Sequence, residues 1–308
     1  MAFAFRASVC AFILFWSFTN VVDAGVIRDD VADASYLALG NSPTYGAVGQ
    51  ITFGSNSDWG SGTLIAGRWV LTAAHLVRSN FWANTPGNVQ FTVGGNTYSG
   101  SQIFLNPGFV QNTPYNGNDI AIVKLSSAVP NVSPIGLYTN NDELGQTGTY
   151  VGFGRTGNGL TGQVASGPTK RGGTNGIDIT GDQFSTGWSS NVLLSDFDSP
   201  SLNVSSFGSS IPSPLEYQPA EKDSGAGLFL DVAGVPKIAG VVSFALFNSD
   251  GINYAYGDGI AATRISGQLP WITSVVPEAS PVVLLGLAAL MAGGIGFISS
   301  QRKNRSRC

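Results

Sequence analysis

The sequence predicts an all-β fold, and three observations carry that prediction. No stretch of sustained helical periodicity occurs in the 250 or so residues between the two ends; short runs rich in Val, Ile, Phe and Thr recur along them; and clusters of Gly, Asn, Ser and Thr separate the runs, with 41 glycines in 308 residues. A chain punctuated in this way makes many short antiparallel strands. Its length suits one large all-β domain or two small ones.

The two ends fall outside that domain. Arg6, the largely apolar run from Ala7 to Phe18 and the small-residue site Val22-Asp23-Ala24 read as a secretory signal peptide over residues 1–24. The run is shorter than the roughly 20 apolar residues that cross a bilayer. Residues 281–298 are continuously apolar or small and are followed by Gln301-Arg302-Lys303-Asn304-Arg305-Ser306-Arg307. They predict a terminal transmembrane helix with its basic end on the cytoplasmic side. With Val276-Pro277-Glu278-Ala279-Ser280 before it, the tail 276–308 resembles a PEP-CTERM sorting signal, with Ala279 where the motif has its second proline. That resemblance implies transient membrane anchoring and an exosortase-type processing enzyme as a partner. Export to the cell envelope or beyond is the expected localisation of the domain at 25–275.

Of the 15 Lys and Arg and 19 Asp and Glu in the chain, 10 and 17 fall in 25–275, so the exported part is near −7. An acidic surface with no basic cluster excludes nucleic acid as the expected partner. Cys10 lies in the leader and Cys308 in the basic tail, so the domain can form no disulfide. With no thiol and one histidine, metal centres built on thiolates or several imidazoles are excluded, and no cofactor is expected.

Within the domain, Val89-Gln-Phe-Thr-Val93 alternates with period two, and Gly94-Gly95-Asn96 turns the chain into Thr97-Tyr98-Ser99, which predicts a hairpin. A second hairpin is predicted where Gly227–Asp231 and Lys237–Phe244 flank the turn residues 232–236. Gly152-Phe-Gly-Arg-Thr-Gly157 lacks the βαβ context of a nucleotide-binding loop and reads as a plain loop. The Gly- and Thr-rich stretch from Gly157 to Asp182 reads as one long connection. Only Ser266–Ser274 carries enough apolar spacing for a short helix.

His75, in Trp69-Val-Leu-Thr-Ala-Ala-His75, is the only histidine of the chain. An imidazole serving as general base on a serine needs a carboxylate to fix its tautomer and a hydroxyl within hydrogen-bond reach. Asn118-Asp119-Ile-Ala-Ile-Val-Lys-Leu125 places an acid at the head of an apolar strand, where the carboxylate can be partly buried. Glu221-Lys222-Asp223-Ser224-Gly225-Ala226-Gly227 places a serine in a glycine-flanked turn able to point backbone N–H groups at one spot.

These segments, with Gly62-Thr-Leu-Ile65 before them, occur in the order found in chymotrypsin-like serine proteases, and most of the chain from Gly46 to Ile272 resembles that family. Gly152-Phe-Gly154 is similar to its Gly-Trp-Gly turn, and Thr263-Arg-Ile265 with Trp271-Ile272 to its closing strand and helix. The resemblance implies two antiparallel six-stranded Greek-key barrels with the site between them, and hydrolysis of peptide bonds in a peptide or protein substrate. It further implies His75 as base and acid, Asp119 as its orienting carboxylate, Ser224 as nucleophile, and the N–H groups of Lys222 and Ser224 as oxyanion donors. Gln218, six before the serine, would stand at the base of the primary pocket, and Ser243-Phe244-Ala245 would pair with substrate backbone. Two departures stand out: Lys222 replaces the usual glycine, and no basic residue precedes an Ile-Val-Gly-Gly-like start that could supply an amine to Asp223. The alternatives are a protease-fold scaffold without turnover and an unrelated β-sandwich adhesin.

Overall fold

The computed structural model describes residues 25–54, 58–78, 85–164 and 167–277. The predicted signal peptide, the transmembrane stretch 281–298 and the basic tail lie outside these residues. Among the described residues no helix is long and apolar enough to cross a membrane.

Six strands form a closed barrel: β2 (Val48–Phe53), β3 (Trp59–Ala66), β4 (Trp69–Thr72), β5 (Val89–Val93), β6 (Asn96–Leu105) and β7 (Ala121–Leu125), in the order β2-β3-β4-β7-β6-β5. The predicted β5–β6 hairpin turns at Gly94 and Gly95, with φ of 58° and 77°, the two positive values that a tight two-residue turn requires. Register shifts at Leu64/Ala66 and Gly100/Gln102 bend β3 and β6 around the barrel. The inward-facing residues Ile51, Leu64, Leu71, Phe91, Ile120 and Ile122 are fully buried. Between β4 and β5 lies the single-turn helix α2 (Ala74–Val77).

The second half departs from the expected closed six-stranded barrel. It comprises β8 (Thr147–Gly152), β11 (Arg171–Gly176), β12 (Ile179–Thr180), β13 (Val192–Asp196), β15 (Gly227–Val232), β16 (Val235–Leu246) and β17 (Gly259–Arg264). They form an open seven-stranded half-barrel ordered β11-β8-β15-β16-β17-β13-β12. The seam between β11 and β13 has no backbone ladder. Instead the Asn175 side-chain amide donates to Asp196 O at 2.8 Å and Tyr217 O at 3.2 Å, and Asp178 N–H donates to Leu194 O at 2.9 Å. A side chain has closed what strand pairing leaves open.

Gly157–Asp182 is likewise no single loop. It contributes to β9 (Thr156–Asn158) and α3 (Gly181–Phe184), and contains β10 (Gly162–Val164), β11 and β12. The sequence of β11, Arg-Gly-Gly-Thr-Asn-Gly, has no apolar alternation because its pairing is fixed by close backbone approach. A Cβ on Gly173 would fall 2.3 Å from the Tyr217 side chain. A further four-stranded sheet, β10-β9-β1-β14, adds β1 (Gly25–Ile27) and β14 (Tyr217–Gln218).

Helix α1 (Asp33–Gly40), which the sequence reading missed, rests on β11. It buries Tyr36 completely, and its Asp33 binds the fully buried Arg171 through two oxygens at 2.5 and 2.7 Å. Eight residues with one buried aromatic give too weak a period to read. The expected helix at the end of the domain is α4 (Leu269–Val275), entered through a 3-10 turn at Ser266–Gln268. Its Ile272 joins Ile238, Val241 and Ile265 of the half-barrel in the same apolar cluster as the closed barrel. Burying that shared surface holds the two halves together, at about 25 cal/mol per Å² removed from water.

Candidate functional site

Segments from both halves converge where the barrels face one another. His75 lies on α2 directly after β4, behind the fully buried Ala73 and Ala74, whose small side chains let this turn sit against the barrel end. Its backbone N–H donates to Asp119 Oδ1 at 2.8 Å, and its ring Nδ1 lies 2.6 Å from Asp119 Oδ2. The other ring nitrogen, Nε2, is 2.8 Å from Ser224 Oγ. The imidazole side chain is 38 % exposed, and the carboxylate only 1 %. One face of the ring is therefore open toward the cleft while its orienting partner is shut away.

Asp119, two residues ahead of β7, is held by more than the histidine. Ser243 Oγ also donates to Oδ2, and Thr263 Oγ1 donates to the Asp119 carbonyl at 3.1 Å. Ser243 reaches the carboxylate because β16 carries a register shift between Val242 and Phe244, which leaves Ser243 as the extra residue aimed out of the ladder. Burial favours the neutral acid, but the charge of His75 and the hydrogen bonds from His75 and Ser243 hold the Asp119 pKa below 3.8. For His75 burial works against the imidazolium, and the Asp119 carboxylate outweighs it through its field and hydrogen bond, raising the pKa above 6.5.

Ser224 sits on the turn before β15, pinned against the closed barrel. Ser61 N–H donates to Ser224 O, and Gly225 N–H to Val242 O, both at 2.9 Å. Gly225 has φ of 84°, and a Cβ there would fall 2.1 Å from Ser61 O and 2.2 Å from Thr72 Oγ1. Glycine is required at this position both by conformation and by space.

Asp223, fully buried, accepts the N–H groups of Gly154 at 2.7 Å and Ala220 at 2.9 Å. Burial pushes its carboxyl up to about 7, against those N–H bonds and the field of Arg171. Backbone amides thus meet the carboxylate for which the sequence offered no partner.

Lys222 takes φ of 74°, the left-handed region that costs a non-glycine residue about 1–2 kcal/mol. Its N–H and that of Ser224 make no hydrogen bond among the described residues. Its ammonium pairs with Asp58 and lies 5.7 Å from the Trp59 ring centroid.

Gln218 stands apart from these groups. It is fully buried in β14, paired with Val26 of β1, and donates from Nε2 to Gly259 O at 3.0 Å. Its Oε1 has no partner among the described residues. Phe244 and Ala245 pair with Ala261 and Ile260 of β17. The Phe244 ring meets Trp188 edge-on at 5.5 Å, and Trp188 stacks on Tyr115 at 5.7 Å. An open groove lined by His75, Phe109, Val110, Pro114, Ser243 and Phe244 runs along this aromatic side. Among the described residues no group of three His, Cys, Asp or Glu side chains is arranged to hold a metal ion.

The resemblance implies that Ser243-Phe244-Ala245 pairs with substrate through its backbone; the Ser243 hydroxyl, for which the sequence implies nothing, binds Asp119. The contributions of Asp58, Thr263, Tyr115 and Trp188 had no local signal, since a single polar or aromatic residue far away in sequence announces nothing about its partner.

Comparison with known proteins agrees with the fold. Residues 40–191 match the family model described as Trypsin, a segment that holds His75 and Asp119 and ends before Ser224. The chain is similar to the complement C1s subcomponent of Sus scrofa, 33% identical over 111 residues, which is 31% of this chain and 16% of that protein. The chain thus spans a small part of that relative's length.

Proposed function

We propose that this chain, which carries a trypsin-like serine protease domain, is an exported serine endopeptidase working through Ser224, His75 and Asp119. The observation that supports this reading is the continuous hydrogen-bond line from Asp119 through both ring nitrogens of His75 to Ser224 Oγ, at 2.6 and 2.8 Å. In the reaction, Ser224 Oγ attacks the scissile carbonyl carbon while its proton passes to His75 Nε2. The imidazolium formed is stabilised by Asp119, which stays ionised. The tetrahedral oxyanion is received by the N–H groups of Lys222 and Ser224. Collapse breaks the C–N bond, His75 protonates the leaving amine, and an acyl-serine remains. Water, deprotonated by His75, then attacks the acyl carbon and regenerates Ser224.

An intact donor–acceptor line supports turnover over an inactive scaffold, because a binding role makes no demand on a hydroxyl, an imidazole and a carboxylate in register. Export through the leader at 1–24, anchoring through 281–298 and exosortase-type processing of the tail belong to the same proposal. The substrate is a peptide or protein. Labelling of the protein with a fluorophosphonate probe followed by peptide mapping tests the reading: modification of Ser224 supports it, and an unlabelled protein that also leaves peptide libraries uncut refutes it.

A further inference from the structure

Of the residues from Pro219 to Ala226, Lys222 is the one non-glycine with a positive φ. Nothing in a free lysine side chain compensates for that conformation, whereas this side chain is gripped. Its ammonium pairs with Asp58 Oδ1 and faces the ring of Trp59 at 5.7 Å. The grip is itself anchored. Asp58 Oδ1 accepts the Trp59 N–H at 3.0 Å, Trp59 Nε1 donates to Phe153 O at 2.7 Å, and Phe153 N–H donates to Ser61 Oγ at 3.0 Å. Asp58 and Trp59 stand at the start of β3 on the closed barrel, and Lys222 on the half-barrel, so the contact spans the cleft. A lone, partly exposed ion pair is worth little. Here the pair is joined by an aromatic face, whose ring is fixed by its Nε1 bond to Phe153 O.

We propose that Asp58, with Trp59, clamps the Lys222 side chain and thereby holds the Lys222 N–H in the oxyanion position, which makes Asp58 a positioning residue. The inference rests on the serine endopeptidase reading above. A glycine would take this backbone conformation unaided; the lysine takes it because its far end is tied down. The clamp acts on the transition state and leaves substrate docking alone, since the oxyanion forms only as the carbonyl is attacked.

The test compares the full-length protein with Asp58→Asn, Asp58→Glu, Lys222→Gly and the Asp58→Asn/Lys222→Gly double variant. The measurements are kcat and KM on a peptide substrate and inhibition by a peptide aldehyde, whose adduct with Ser224 places an oxygen where the oxyanion stands. Asp58→Asn is expected to lower kcat roughly tenfold or more with KM little changed, and to weaken the aldehyde by the same factor. Asp58→Glu, which keeps the charge, restores most of the loss. In the Lys222→Gly background, adding Asp58→Asn leaves kcat within about twofold, because glycine needs no clamp. The clamp is overturned by an unchanged kcat in Asp58→Asn, by a change in KM alone, or by an equal loss with and without Lys222. Fluorophosphonate labelling separates the two readings: a labelled Ser224 with any of those results removes only the clamp, and an unlabelled, inactive wild-type protein removes both.

Discussion

Asp119 holds His75 at two points, one oxygen on the backbone N–H at 2.8 Å and the other on the ring Nδ1 at 2.6 Å. The first contact fixes where the residue sits, and the second fixes which ring nitrogen carries the proton. With Nδ1–H pointed into the carboxylate, Nε2 is left as the acceptor facing Ser224. This is the only histidine in the chain, so no second imidazole can take over. His75→Ala is therefore expected to abolish fluorophosphonate labelling and to lower turnover by about 10⁴- to 10⁶-fold, with the far-ultraviolet circular dichroism unchanged. Labelling that persists in the variant refutes the assignment.

The same pair sets the pH profile. Asp119 raises the His75 pKa above 6.5, and only neutral imidazole can take the serine proton. Activity should rise with pH through one ionisation whose midpoint lies above 6.5, and kcat/KM measured from about pH 5 to pH 9 reads it. Asp119→Asn removes the charge that raises the midpoint, so the little activity that remains, of order 10⁻⁴ of wild type, should titrate at lower pH. A profile flat across this range contradicts His75 as the base.

Ser243 is the third donor to the Asp119 carboxylate. Ser243→Ala leaves the two His75 contacts in place, so a partial loss is expected. A hydrogen bond to a charged group is worth about 1.5–3 kcal/mol, and half of that lost from the transition state corresponds to roughly 4- to 13-fold in kcat. The activity midpoint should also fall if the carboxylate swings away from the ring. Steady-state kinetics across pH on Ser243→Ala and Ser243→Thr check it, with threonine expected to retain the donor.

Several buried or half-buried carboxyls shape stability against pH, Asp223, Glu216, Asp178 and Asp198 among them. Burial pushes Asp223 up to about 7 and Glu216 up to about 8, and Glu216 Oε1 has no partner among the described residues. Both folded values lie above the ordinary carboxyl values of 3.8 and 4.5. At these two groups the folded state therefore binds more protons than the unfolded one between those limits, so their contribution to stability is fully present near or below pH 4 and is lost as pH rises toward 7 to 8. Urea midpoints at pH 5 and pH 8 should show the lower value at pH 8. Glu216→Gln should reduce the difference, and an equal slope in wild type and variant would exclude Glu216 as a source.

The resemblance to the protease family implies Gln218 at the base of the primary pocket, and the expectation for specificity rests on that proposal. A neutral amide cannot complement a buried guanidinium or ammonium, and an unpaired buried charge is costly. A peptide-library digest is expected to show cleavage after uncharged residues. Cleavage confined to sites after Arg or Lys would move the pocket floor to some other, acidic residue and leave the roles of His75, Asp119 and Ser224 untouched.

Short-range chemistry is legible along the chain. Period-two alternation and paired glycines specified the β5–β6 hairpin; the short segments around His75, Asp119 and Ser224 marked themselves because each needs a distinctive local setting, respectively small residues before a helical turn, an acid heading an apolar strand, and a glycine after a tightly packed serine. Tertiary structure decided everything that depends on pairs distant along the chain. It turned a glycine-rich stretch into β11, because backbone approach to Tyr217 leaves room for hydrogen atoms only. It left the second barrel open at a seam that Asn175 spans with a side chain. It sent the Ser243 hydroxyl to Asp119, 124 positions away, and tied Lys222 to Asp58 across 164 positions. Such contacts leave no trace in a local pattern because the energy that selects them, burial of a charge against its donor or of a backbone conformation against its brace, exists only once the two halves have packed.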